Sequence, residues 1–92
     1  MTTATTILIV DDQAGLRDSI ELTLTSVGYQ VQTAADGIEA LEILDAHPVD
    51  VILADIAMPR MNGYQLYEQV RERDEWVLIP FLFLTARTMD SD

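Results

Sequence analysis

Cysteine is absent from the 92-residue chain, so neither a disulfide framework nor a thiolate-held zinc site can form, and nothing in cysteine usage supports secretion. Lysine is absent too: the five basic residues are Arg17, Arg60, Arg71, Arg73 and Arg87. Against them stand 16 acidic residues, and the resulting net charge of -11 opposes direct binding to nucleic acid or to an anionic membrane. Such a chain favours cations or basic partners. No apolar run approaches the roughly 20 residues that span a bilayer. The stretch from Met1 to Thr6 lacks the charged start and cleavage pattern of a signal peptide, so a cytoplasmic location is expected. Repeats, linkers and low-complexity tracts are missing as well, which leaves a single small domain over residues 1–92.

What is present is a chain in which 49% of residues are apolar, spread in short blocks along its whole length. "TTILIV" (Thr5 to Val10) is β-branched and continuously apolar toward its end, the pattern of a strand covered on both faces. Leu16, Ile20, Leu24 and Val27 then recur at helical spacing before Gly28, predicting a helix from about Ala14 to Val27. Tyr29 to Ala34 alternates like a shorter strand, and Asp36 with Glu39 forms a capping-box-like start to a helix closed by His47 and Pro48. Val49 to Ala54 reads as a second buried strand ending at Asp55. "MPRMNG" reads as a turn, with Asn62 and Gly63 free to take left-handed conformations. Tyr64, Leu66, Tyr67 and Val70 give a third helix, and "LIPFLFLTA" a last strand from Leu78 with Pro80 near its start.

Strand and helix therefore alternate as βαβαβαβ, which implies an α/β fold with a parallel sheet and right-handed crossovers. Asp11 and Asp12, Asp55, and Thr85 all fall at carboxyl ends of strands, where open α/β sheets bind their ligands. If the strand ending at Asp55 neighbours the strand ending at Asp11, three carboxylates converge, and they repel one another unless a cation sits among them. Oxygen donors without His or Cys favour Mg²⁺. A carboxylate beside Mg²⁺ can act as a nucleophile toward phosphorus, and Thr85 can hydrogen-bond a phosphate oxygen.

"ILIVDD", "ADIAMPRMNG" and "FLFLTA", in that order and spacing, resemble the receiver domain of two-component response regulators, the CheY-like family. The resemblance covers essentially the whole chain. It implies a flavodoxin-like, doubly wound parallel sheet of order 2-1-3-4, an order not read from the alternation itself. It also implies a Mg²⁺-dependent phosphoacceptor in signalling rather than an enzyme, served by a sensor histidine kinase or phosphotransfer protein. Asp55 matches the residue that takes the phosphoryl group. Asp12 matches the direct Mg²⁺ ligand, Asp11 its neighbour acting largely through water, and Ala57 a backbone carbonyl ligand. Thr85 and the Ala86 amide match the phosphate contacts. Receivers continue with a fourth helix, a fifth strand followed by Lys-Pro, and a fifth helix, none of which lies within these 92 residues. The expectation is a C-terminally incomplete receiver whose apolar edge, Leu78 to Leu84, invites a homodimer or swapped oligomer.

Plainer readings accompany each motif. An Asp-Asp pair by itself is commonly a solvated loop start, and it is the combination with Asp55 and Thr85 that points to a site. His47 reads as a helix end, and Arg71 to Glu75 as a solvated helix terminus. Tyr64, Tyr67, Trp76, Phe81 and Phe83 read as core or interface. Two other functions fit part of the pattern. One is a non-phosphorylated receiver-fold interaction module. The other is a Mg²⁺-dependent haloacid-dehalogenase-like phosphatase, which wants a second Asp where Ala57 stands.

Overall fold

A computed structural model describes residues 4–84. Its elements are β1 (Thr6–Val10), α1 (Ala14–Ser26), β2 (Gln30–Ala34), α2 (Gly37–Ala46), β3 (Val51–Asp55), α3 (Gly63–Glu72) and β4 (Phe81–Leu84). The four strands form one parallel sheet in the order β2-β1-β3-β4. The alternation and the order expected from the sequence are both present.

The sheet has two unlike faces. Leu8 and Val10 of β1 and Ile52 and Ala54 of β3 point to the side of α2 and α3, where they join Ala40, Leu44, Leu66, Val70 and Trp76 in the core. Each of these is nearly inaccessible to water, and fully burying one large aliphatic side chain contributes about 1.5–3 kcal/mol. The other face carries Ile7 and Ile9, also buried, but α1 contributes no buried residue of its own. Leu22 on α1 is 73% exposed and Leu82 on β4 is 54% exposed.

Helix starts are chemically defined on the dense side. Asp36 caps α2 by accepting the Glu39 N–H at 3.0 Å, while the Glu39 carboxylate accepts from the Ala35 N–H, one residue earlier than a standard capping box uses. Asn62 and Gln65 form a full reciprocal box at the start of α3. Asn62 is therefore extended rather than left-handed, and the one non-glycine residue with positive φ among the described residues is Arg60, at 65°.

Two strand boundaries differ from expectation. β3 begins at Val51, not Val49, because Asp50 turns its carboxylate to cap the Thr6 N–H at 2.8 Å. β4 begins at Phe81, not Leu78: Pro80 has no N–H for a ladder and supplies only its carbonyl, to the Ile52 N–H. The preceding residues form turns instead, with Trp76 N–H bonded to Arg73 and Ile79 N–H to Trp76, and these bury Trp76. The apolar edge is accordingly shorter than Leu78 to Leu84. Arg73, read as part of a solvated terminus, pairs with Asp45 and Glu75 and lies 4.0 Å above the Trp76 ring centre.

Candidate functional site

Parallel register sets the site. Val10 stands opposite Ala54, so the next residues, Asp11 just past β1 and Asp55 at the end of β3, emerge side by side. Asp12 follows Asp11 toward α1. One carboxylate oxygen from each of Asp11, Asp12 and Asp55 lies within 4.8 Å of the others, with Asp11 and Asp55 buried and Asp12 exposed. The conditional convergence read from the sequence is thus realised by the β1–β3 pairing.

Local hydrogen bonds orient these groups. Asp11 Oδ1 accepts from the Gln13 N–H at 2.9 Å, which turns the chain toward α1, and the Asp11 carbonyl accepts from Arg17 Nη1 at 2.7 Å. Asp55 Oδ1 accepts from the Ala57 N–H at 3.4 Å. Beyond Asp55 the chain makes a half-exposed excursion and returns where the Gly63 N–H bonds the Ile56 carbonyl at 2.8 Å. A side chain on Gly63 would collide with the Asp55 carbonyl oxygen. The glycine read as a source of left-handed freedom serves instead to let α3 approach the acidic residue closely.

The donor set fits a hard divalent cation. Three carboxylates and no nitrogen or sulfur suit Mg²⁺, whose oxygen ligands sit at about 2.0–2.1 Å, so that ligands on opposite sides of the ion stand about 4.2 Å apart. The three oxygens lie within 4.8 Å of one another, slightly wider than that, so a small side-chain adjustment would bring them onto one ion.

Asp11, Asp12 and Asp55 are brought together; Ala57 lies two residues past Asp55 on the half-exposed excursion. Thr85 and Ala86 lie outside the described residues. Sequence reading passed over one pair beside the site. Arg60 Nε and Nη2 donate to Asp36 Oδ2 at 2.9 and 2.6 Å, joining the β3–α3 excursion to the start of α2. Burial pushes the Asp36 carboxyl up, but the Glu39 N–H and the Arg60 guanidinium outweigh it and hold the group below the ordinary carboxylate value. These partners are 24 residues apart, so no local pattern links them.

The sequence model for "response regulator receiver domain" matches residues 7–92. The chain belongs to the response regulator receiver family. This receiver is 40% identical over 80 residues to the probable transcriptional regulator ycf27 of Cyanidium caldarium, an alignment covering 87% of this chain and 31% of that protein. The chain thus spans about a third of the length of such relatives. Among solved structures, it superposes on the chemotaxis protein CheY4 of Vibrio cholerae with a TM-score of 0.85 at 37% identity, over 88% of this chain and 68% of that one. The receiver domain of a sensor histidine kinase from Pseudomonas aeruginosa, solved with magnesium ion coordinated in its active site cleft, gives a TM-score of 0.87 at 32% identity, over 98% and 74%. The receiver's α/β sheet of order 2-1-3-4 is the one these structures share. Among the described residues no helix is long and apolar enough to cross a membrane.

Proposed function

We propose that the chain is a phosphoacceptor: Asp55 takes a phosphoryl group from a phosphohistidine of a sensor histidine kinase or phosphotransfer protein, in a Mg²⁺-dependent reaction. The observation that carries this reading is the meeting of Asp11, Asp12 and Asp55 within 4.8 Å at the carboxyl ends of β1 and β3. An Asp55 carboxylate oxygen attacks phosphorus, the new O–P bond replaces the N–P bond to histidine, and the imidazole leaves with the electron pair. Asp11, Asp12, Asp55 and the Ala57 carbonyl would hold the ion, which when bound supplies charge neutralisation for an anionic nucleophile meeting an anionic phosphoryl group. Thr85 and Ala86 are assigned to the phosphate oxygens. The protein's part is that of a modified carrier, not of a turnover catalyst.

Intact mass after treatment with acetyl phosphate and Mg²⁺ tests this, using the parent chain and Asp55→Asn. One phosphate gained by the parent alone is the expected result. Equal gain by both would place the acceptor elsewhere. No gain by either would favour the second reading, a receiver-fold interaction module.

A further inference from the structure

The excursion that carries Ala57 is fastened at two places. Its base is closed by the Gly63 N–H on the Ile56 carbonyl. Its tip is held by the two-pronged hydrogen bond from Arg60 to Asp36, whose side chain is only 8% exposed. Three further observations show that the tip is held deliberately. Asp36 divides its oxygens, Oδ1 capping α2 and Oδ2 receiving Arg60, so the anchor is itself fixed to a helix start. Met61, the next residue, packs its side chain directly against Gly37, where a Cβ would meet the Met61 chain at 2.7 Å. Arg60 also sits at φ 65°, between a Pro59 carbonyl and a Met61 N–H bonded at 2.6 Å, a left-handed γ-turn that an L side chain avoids unless its surroundings impose it.

We propose that the Arg60–Asp36 pair is a positioning clamp for the cation site, fixing the segment Ala57 to Arg60 so that the Ala57 backbone faces the three carboxylates in a set geometry. The inference rests on the reading of Asp11, Asp12, Asp55 and Ala57 as the Mg²⁺ site and assigns that site a support 24 residues away in sequence from the clamp's other half. Arg60 and Asp36 are positioning residues: neither touches the ion or the phosphoryl group. Their effect comes from removing freedom in a metal-bearing loop, the role that outer hydrogen-bond partners play at metal sites generally.

Mg²⁺ titration calorimetry on the full chain tests it, with Arg60→Gly, Asp36→Asn and the double variant. Asn at 36 keeps the cap on α2, and Gly at 60 accepts the left-handed φ, so the fold persists in both. Each single variant is expected to bind Mg²⁺ about ten-fold more weakly. The double variant is expected to be no weaker than either single one, because both break the same link. Thermal unfolding of Arg60→Gly should stay within a few degrees of the parent, separating positioning from general stability. Unchanged Mg²⁺ affinity in the variants, with binding lost in Asp12→Asn, would overturn the clamp and leave the site intact. Losses that multiply in the double variant would also overturn it. A parent chain that binds no Mg²⁺ would overturn the clamp and the site together.

Discussion

The two faces of the sheet are built from similar strands and end in different states. On the side of α2 and α3, β1 and β3 meet two helices with defined caps, an interhelix ion pair through Arg73 and Asp45, and a buried tryptophan. On the side of α1, Ile7 and Ile9 are covered while the helix itself buries nothing fully. The acidic site lies across this divide, since Asp55 leads into α3 and Asp11 and Asp12 lead into α1. One half of the site therefore stands on the part of the molecule that resists opening, and the other on a helix whose attachment is shallower.

Substitutions can sharpen or break that contrast. Leu66→Ala, on the fully buried face of α3, should cost about 2–5 kcal/mol in denaturant unfolding; a cost near zero would show that the dense face is not where stability resides. Mg²⁺ at a hundred times its dissociation constant should raise the parent's stability by about 2.7 kcal/mol, an increment that Asp12→Asn should largely lose, because the ion ties the two halves of the site together. Gly63→Ala should cost about 1–3 kcal/mol, since the added methyl meets the Asp55 backbone, which cannot swing aside as a side chain would.

Smaller effects complete the series. The Asp36 carboxyl lies below its ordinary 3.8 in the folded chain, so its contribution is complete above that value and is lost as pH falls through the folded one. The parent should be more stable than Asp36→Asn at neutral pH, and the gap should close on acidification below about 3.8, read from melting curves across pH. Leu22→Ala, on the exposed side of α1, should change stability by no more than about 0.5 kcal/mol.

Periodicity and turn chemistry were enough to read the element order and the parallel sheet, because buried parallel strands and amphipathic helices differ sharply in spacing. The three carboxylates were legible for the same reason: Asp11 and Asp55 stand at the ends of two apolar strands, and Asp12 adjoins Asp11. Strand starts were not, since Asp50 and Pro80 act through partners on other strands, Thr6 and Ile52. The "MPRMNG" turn was misread in detail. Asn62 and Gly63 are the residues most tolerant of positive φ, yet one is taken as a helix cap and the other by close packing, and the strained position falls to Arg60. What compensates Arg60 is the carboxylate that caps α2, and no spacing rule reaches that far.

The chain's one tryptophan, Trp76, is buried in the turns that precede β4, at the amino ends of the strands, with the Arg73 guanidinium over its ring. The acidic cluster lies at the carboxyl ends, about 15 Å away along a five-residue strand. Its intrinsic fluorescence is therefore a reporter of whether the α2–α3 face is folded, and a nearly silent one for what happens at Asp55. An emission change on adding a phosphodonor would signal a rearrangement that crosses the whole length of the sheet, and a constant emission would be compatible with full modification of the aspartate.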